Sequence, residues 1–304
     1  MSQEDQPPGD TPAPEPTPEP TPEPTAEPTP GPTPQPEAAG NIVFSGNFET
    51  GNVSQWTWGA QCANYGNPSL GSLHLVTEPE PVAQGKYAAR FDLPAATTTN
   101  ACEVLRRRTE ALGTDDWYAQ EVYFPTNWRE PAEGPNGWWG ALIGQYNYEN
   151  IGEGPPVGLI AHDDHVNVVV ETGSCNPPIC QYNSGNDIPG GVNQGTLKTT
   201  LRITPLETNL AETWQQFIVH VHWASDATGH VDGWWKPRAS TSWKQTVNWG
   251  GYPTVQWTNT LPVDTNHVTA DKIGAYRGPA PYPLSLWQDG FCVATSFASA
   301  ATCL

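Results

Sequence analysis

Gln216-Phe217-Ile218-Val219-His220-Val221-His222-Trp223 is the stretch that decides the fold. In an extended chain successive side chains point to opposite faces. Phe217, Val219, Val221 and Trp223 then share one face, and Ile218, His220 and His222 share the other. That alternation, with its β-branched and aromatic content, predicts a β-strand. Trp117 to Phe124 and Val166 to Val170 are further runs of the same kind. Asp163-Asp164, Pro189-Gly190-Gly191 and Gly250-Gly251 read as the turns between such runs. No long segment keeps a 3.6-residue apolar period. The fold class predicted is all-β, a sandwich of two antiparallel sheets.

Residues 11–36 repeat Thr-Pro and Glu-Pro. Such a tract adopts polyproline II and buries nothing, so residues 1–40 are expected to be a disordered Pro/Thr/Glu-rich linker and 41–304 the folded domain. The linker serves as a spacer to a membrane anchor or second module, or else as a solubilising tail. It also skews the charge. Of the net −19, eight acids and no Lys or Arg fall in 1–40, which leaves 24 acids against 13 bases elsewhere. No basic surface is available for phosphates, so nucleic acid is excluded as an obvious partner. Densely sulfated polyanions fit poorly; a neutral or lightly charged polymer fits better.

Six cysteines alongside a single methionine point to an oxidising compartment. Cys175 with Cys180, Cys292 with Cys303, and Cys62 with Cys102 form the locally plausible pairing, one of several that six cysteines allow. The spacing lacks the CxxC pairs of a zinc site. No hydrophobic run is long enough to span a membrane. No signal peptide opens the chain, and the reading is of a secreted or cell-surface-tethered monomer whose export signal has been removed.

Three runs place polar residues on strand faces. Arg108-Thr109-Glu110 aligns Arg108 with Glu110, with Arg106 beside them, and Gln145-Tyr146-Asn147 aligns Gln145 with Asn147. In Lys272-Ile273-Gly274-Ala275-Tyr276-Arg277, Lys272, Gly274 and Tyr276 share a face, and Gly274 is expected to leave room for a ligand. A cation beside a phenol can hold an anion and move a proton next to it. Trp138-Trp139, Trp234-Trp235, Trp128 and Trp249 supply aromatic platforms for sugar rings.

Several motifs together resemble the heparin lyase I-like and glucuronan lyase-like polysaccharide lyases. Asn47 to Trp56 resembles their G-x-F-E-T-G-x-x-S-x-W, and Arg108-Thr109-Glu110 their Arg-x-Glu strand. Tyr123 to Trp128 is similar to Y-x-P-x-x-W, and Gln145-Tyr146-Asn147 sits where those enzymes carry Gln-x-His. Trp214 to Trp223, Gly229 to Trp234, Lys272 to Arg277 and Trp287 to Gly290 continue the series in order. The resemblance covers nearly all of 45–295. It implies a concanavalin A-like β-jelly roll and cleavage of a uronic-acid polysaccharide by β-elimination, a reaction that requires no cofactor.

By the same resemblance, Arg108 and Gln145 neutralise the uronate carboxylate and Asn147 hydrogen-bonds it. Tyr276 is acid, base or both, and Lys272 favours its ionised form by proximity of charge. Glu110, Arg277, His220, His222, Trp138 and Trp139 are the expected substrate contacts. The family's histidine is replaced by Asn147, and the tyrosine that many relatives carry two residues before the lysine is Ala270.

Other readings stay open. His220 and His222 can converge on one metal ion or substrate group. His162-Asp163-Asp164-His165 reads as a hairpin turn. Asn47, Glu49 and Asp289 could hold a structural calcium. A glycoside hydrolase would need a carboxylate pair, drawn from Glu110, Glu121 or Asp232. A non-catalytic carbohydrate-binding module needs none. No G-x-S-x-G supports nucleophilic serine chemistry.

Overall fold

The computed structural model describes residues 40–62, 71–129, 140–147, 155–172, 192–193, 196–224, 226–255 and 270–304. Residues 1–39 of the predicted linker, Trp138, Trp139, Cys175, Cys180 and Pro189 to Gly191 lie outside them.

In chain order the strands are β1 (Ile42–Gly46), β2 (Ala60–Gln61), β3 (Ser72–Val76), β4 (Ala88–Leu93), β5 (Asn100–Arg107) and β6 (Asp115–Tyr123). Then follow β7 (Ala141–Tyr146), β8 (Val157–Ala161), β9 (Val166–Thr172), β10 (Val192–Asn193) and β11 (Thr196–Arg202). The last are β12 (Trp214–His222), β13 (His230–Pro237), β14 (Lys244–Gly250), β15 (Ala270–Arg277) and β16 (Leu284–Ala294), before a short helix α1 (Phe297–Ala301). Among the described residues they build two eight-stranded antiparallel sheets. The first runs β14-β13-β12-β6-β16-β4-β3, with β1 also on β16; the second runs β10-β11-β9-β8-β7-β15-β5-β2. The all-β sandwich expected from the alternation is what forms.

β12 behaves as its sequence dictates. Phe217, Val219, Val221 and Trp223 are fully buried in the core between the sheets, with Val122 of the neighbouring strand β6, Phe124 just after it, and Ile143 and Ile273 from the opposite sheet. Ile218 points the other way yet is also buried. α1 covers it, packing Ala300 and Phe297 against Trp117, Ala119 and Trp234. Ser296 caps that helix by accepting from the Ser299 N–H. A Cys292–Cys303 disulfide ties the helix end to β16, and Cys62–Cys102 ties the segment after β2 to β5. Both bonds match the predicted pairing. The His162–His165 turn also forms, closed by a His162 N–H to His165 carbonyl bond of 2.8 Å between β8 and β9.

The core holds polar groups where the sheets are irregular. Register shifts in the β7–β15 pairing free the carbonyls of Ile143 and Gly274, and Gln288 of β16 donates to both at 2.8 Å. A buried carbonyl left without a donor would cost about 1–3 kcal/mol, so Gln288 is the interior complement of an irregular strand.

Candidate active site

β15 lies near the middle of the second sheet, between β5 and β7. Ile273 and Ala275 enter the core. By alternation Lys272 and Tyr276 emerge on the outer face, both half-buried. Register sets their neighbours: Lys272 lies opposite Gln145 of β7 on one side and Leu105 of β5 on the other. Glu103 of β5 lies opposite Gly274, and its Oε1 accepts a hydrogen bond from Gln145 Nε2. Lys272, Gln145, Glu103 and Tyr276 therefore share one face, on three adjacent strands. Arg107 joins them at the end of β5; it is exposed and stands opposite Ala270.

Gly274 does a different job from the one expected. Its φ is +147°, and a Cβ there would come within 2.2 Å of the Cys102 carbonyl oxygen. The glycine permits the close approach of β15 to β5, rather than opening space for a ligand.

Glu103 is nearly buried, at 6% exposure. Burial pushes its carboxyl above the ordinary range, against the Lys272 charge and the Gln145 hydrogen bond, which pull it down. Asn147 is buried at the end of β7 and donates through Nδ2 to the Ala270 carbonyl at 2.6 Å. It thus supports the backbone beside Lys272, and its Oδ1 has no hydrogen-bond partner among the described residues.

Other predicted site residues lie elsewhere. Arg108 does not share that outer face: it is 4% exposed and bonds Asp116 through Nε at 3.1 Å and Nη2 at 2.5 Å. Trp223 and Tyr118 donate to the same carboxylate. The physical reason is strand parity. Val104 enters the core, so Arg106 and Arg108 follow it inward while Glu103 and Arg107 point out. Arg106 pairs with Asp271 at 2.6 Å and with Glu110, which therefore belongs to this interior network and not to an open face. Burial lifts the Asp271 carboxyl to about 7 in spite of the two arginines. Arg277 is also internal, donating to Asn100 and to the carbonyls of Pro94 and Tyr282; burial lowers its guanidinium to about 10.

His220 and His222 lie on the outer face of the first sheet, away from Lys272. His220 bridges Asp232 (3.0 Å) and Asp115 (2.9 Å), and His222 also meets Asp115. Among the described residues no group of three His, Cys, Asp or Glu is set to hold a metal ion. The three residues read as calcium ligands each accept from backbone amides. Glu49 accepts from the Lys86 and Tyr87 amides, and Asp289 from those of Ala83, Gln84 and Gly290, so both carboxylates anchor the 83–87 loop. Asn47 accepts from the Glu49 amide. Burial lifts Asp289 to about 7.

The acids considered for hydrolysis are each engaged separately: Glu110 by Arg106, Glu121 by Arg238, and Asp232 by His220 and Gln245. Trp234, Trp235 and Trp249 are buried, and Trp128 donates to the His162 carbonyl while packing on Phe124. Glu103 and Arg107 are the site residues that the sequence reading missed. The apolar Val104 between them was the available signal.

The family model described as "Polysaccharide lyase" matches residues 48–291. Among solved structures, the endo-β-1,4-glucuronan lyase of the fungus Trichoderma reesei is similar at 18% identity, covering 86% of this chain and 98% of that one, with a TM-score of 0.59. An alginate lyase of Aplysia kurodai aligns at 12% identity over 84% of this chain and 100% of its own, with a TM-score of 0.48. No curated protein sequence matches the chain.

Proposed function

This chain belongs to the polysaccharide lyase family, and from that premise we propose that it cleaves a uronic-acid polysaccharide by β-elimination on the outer face of β5, β15 and β7. The observation that carries the reading is the juxtaposition of Lys272, Gln145 and Tyr276 on one face, with Arg107 at its rim.

Elimination needs the uronate carboxylate neutralised so that the C5 proton becomes acidic. Preorganised donors aimed at developing charge supply that term. Lys272, Gln145 and Arg107 are the groups placed to do so. A base takes the C5 proton, the C4–C5 double bond forms, and the C4–O bond breaks. An acid then delivers a proton to the leaving oxygen. Tyr276 is the proton carrier of the group, able to take the first proton and return one to the leaving oxygen. Asn147 stands where the resemblance expects a histidine. Positive charge at Lys272 and Arg107 matches one carboxylate per sugar, not a densely sulfated chain.

The glucuronan lyase of similar fold makes β-1,4-linked glucuronan the first polymer to test. The two disulfides support a secreted protein, and we take the acting form to be a monomer. The test is incubation with glucuronan, alginate, pectate and glycosaminoglycans while following ultraviolet absorbance of the unsaturated product. Absorbance rising with at least one uronate polymer is expected. New reducing ends without absorbance would mean hydrolysis, and retardation in a polysaccharide gel without cleavage would mean a binding module.

A further inference from the structure

Glu103 has no part in the elimination described above, yet it sits within that group. It is nearly buried on the face that a uronate must approach, and it holds the Gln145 amide. Among the described residues, the surrounding elements bring little charge. β15 contributes Lys272 and Gly274, and β7 contributes Gln145. On the other side β2 places Gln61 opposite Glu103, and β5 itself adds Leu105 and, four residues on, Arg107. Among the described residues, Lys272 is the charge that acts on this carboxyl.

A uronate carboxylate drawn to Lys272 and Gln145 arrives where Glu103 is already satisfied by the same two groups. Two carboxylates sharing one site cannot both ionise without a large penalty, and one of them takes up a proton. The substrate carboxylate is open to solvent on its approach, whereas Glu103 is desolvated, so the proton goes to Glu103.

We propose that Glu103 is a proton-linked specificity residue of the groove: it takes a proton from solvent when a uronate binds, and in its ionised form excludes one. The proton forms the O–H bond of the Glu103 carboxyl, and no other bond changes. The carboxyl that accepted from Gln145 becomes a donor, and Lys272 and the Gln145 amide are released to the substrate. Burial has already moved Glu103 part of the way, since its carboxyl lies above the ordinary range before any ligand arrives. This inference rests on the uronate reading of the same groove.

The test is calorimetry of the full chain carrying Tyr276→Phe, titrated with a glucuronan oligosaccharide in two buffers of different ionisation enthalpy. Net proton uptake on binding is expected while Glu103 is left unsubstituted. E103Q in the same background should bind with no uptake. In the active chain, KM should rise about tenfold per pH unit once the free enzyme's Glu103 ionises, while kcat holds. E103Q should flatten that rise.

Oligosaccharide binding without proton uptake overturns the role of Glu103 and leaves the lyase reading standing. Uptake that persists in E103Q also overturns it. Failure of every uronate oligomer to bind, with no elimination product from the active chain, overturns both.

Discussion

Arg107 and Arg108 are adjacent in sequence and separated by the thickness of a strand. Arg107 is solvent-exposed at the groove rim, while Arg108 is locked against Asp116 and stacks over Trp223 at 4.9 Å. Arg107→Ala is therefore expected to raise KM for a uronate polymer with little change in unfolding free energy. Arg108→Ala should lower stability by about 3–5 kcal/mol, because it strands a buried carboxylate. Denaturant melts and steady-state kinetics on the two variants separate these outcomes. Tyr276→Phe should lower kcat by about 10²- to 10⁴-fold, the range for loss of a general acid–base group, and leave the thermal melt unchanged. Retained kcat would remove Tyr276 from the reaction. The sequence shows the outward face of Lys272 and Tyr276 because Ile273 and Ala275 mark the inward one. It also puts Arg106, Arg108 and Glu110 together correctly. It does not show which face they take, because their partners Asp271 and Asp116 come from other strands.

At the scale of the element, β15 carries the irregularity that shapes the site. Its pairing with β7 shifts register between Ile273 and Tyr276, and Gly274 takes a φ that side chains rarely adopt. Gly274→Ala forces a Cβ onto the Cys102 carbonyl and is expected to cost about 1–3 kcal/mol in backbone strain. It should also reduce kcat, since it displaces Lys272 from Gln145; a variant with unchanged kcat and stability would contradict this account of β15.

On the other sheet, His220 joins three strands, with one ring nitrogen on Asp115 of β6 and the other on Asp232 of β13. Both nitrogens can donate only in the imidazolium form. Burial pulls the His220 pKa down, but the two carboxylate bonds outweigh it and hold the ring above its ordinary 6.5. The stability so gained is fully present below pH 6.5 and lost as pH rises through the folded value. Thermal melts across that window should show a decline that His220→Gln removes; equal slopes in both proteins would contradict the clasp.

For the whole molecule, period-two alternation was enough to predict two packed antiparallel sheets, because a strand buried on one face must declare that face. Cys292 with Cys303 was legible from local spacing, and Cys62 with Cys102 as the pair left over. The burial of Ile218 was not, since it depends on α1 folding back over β12 from the far end of the chain. The interior ion pairs were hidden for the same reason: Arg106 meets Asp271 across 165 positions of sequence. Glu49 is half-buried and Asp289 fully buried, and backbone amides of one loop bond both, a partnership that local sequence does not show.

The central claim is that this sandwich breaks uronate polymers by elimination rather than by adding water. Digestion of glucuronan in ¹⁸O-labelled water, with mass spectrometry of the fragments, tests it most directly. Newly formed non-reducing ends should be lighter than hydrolysis products by one water and carry no label. Fragments of full hydrated mass that incorporate ¹⁸O at the cleaved bond would contradict it.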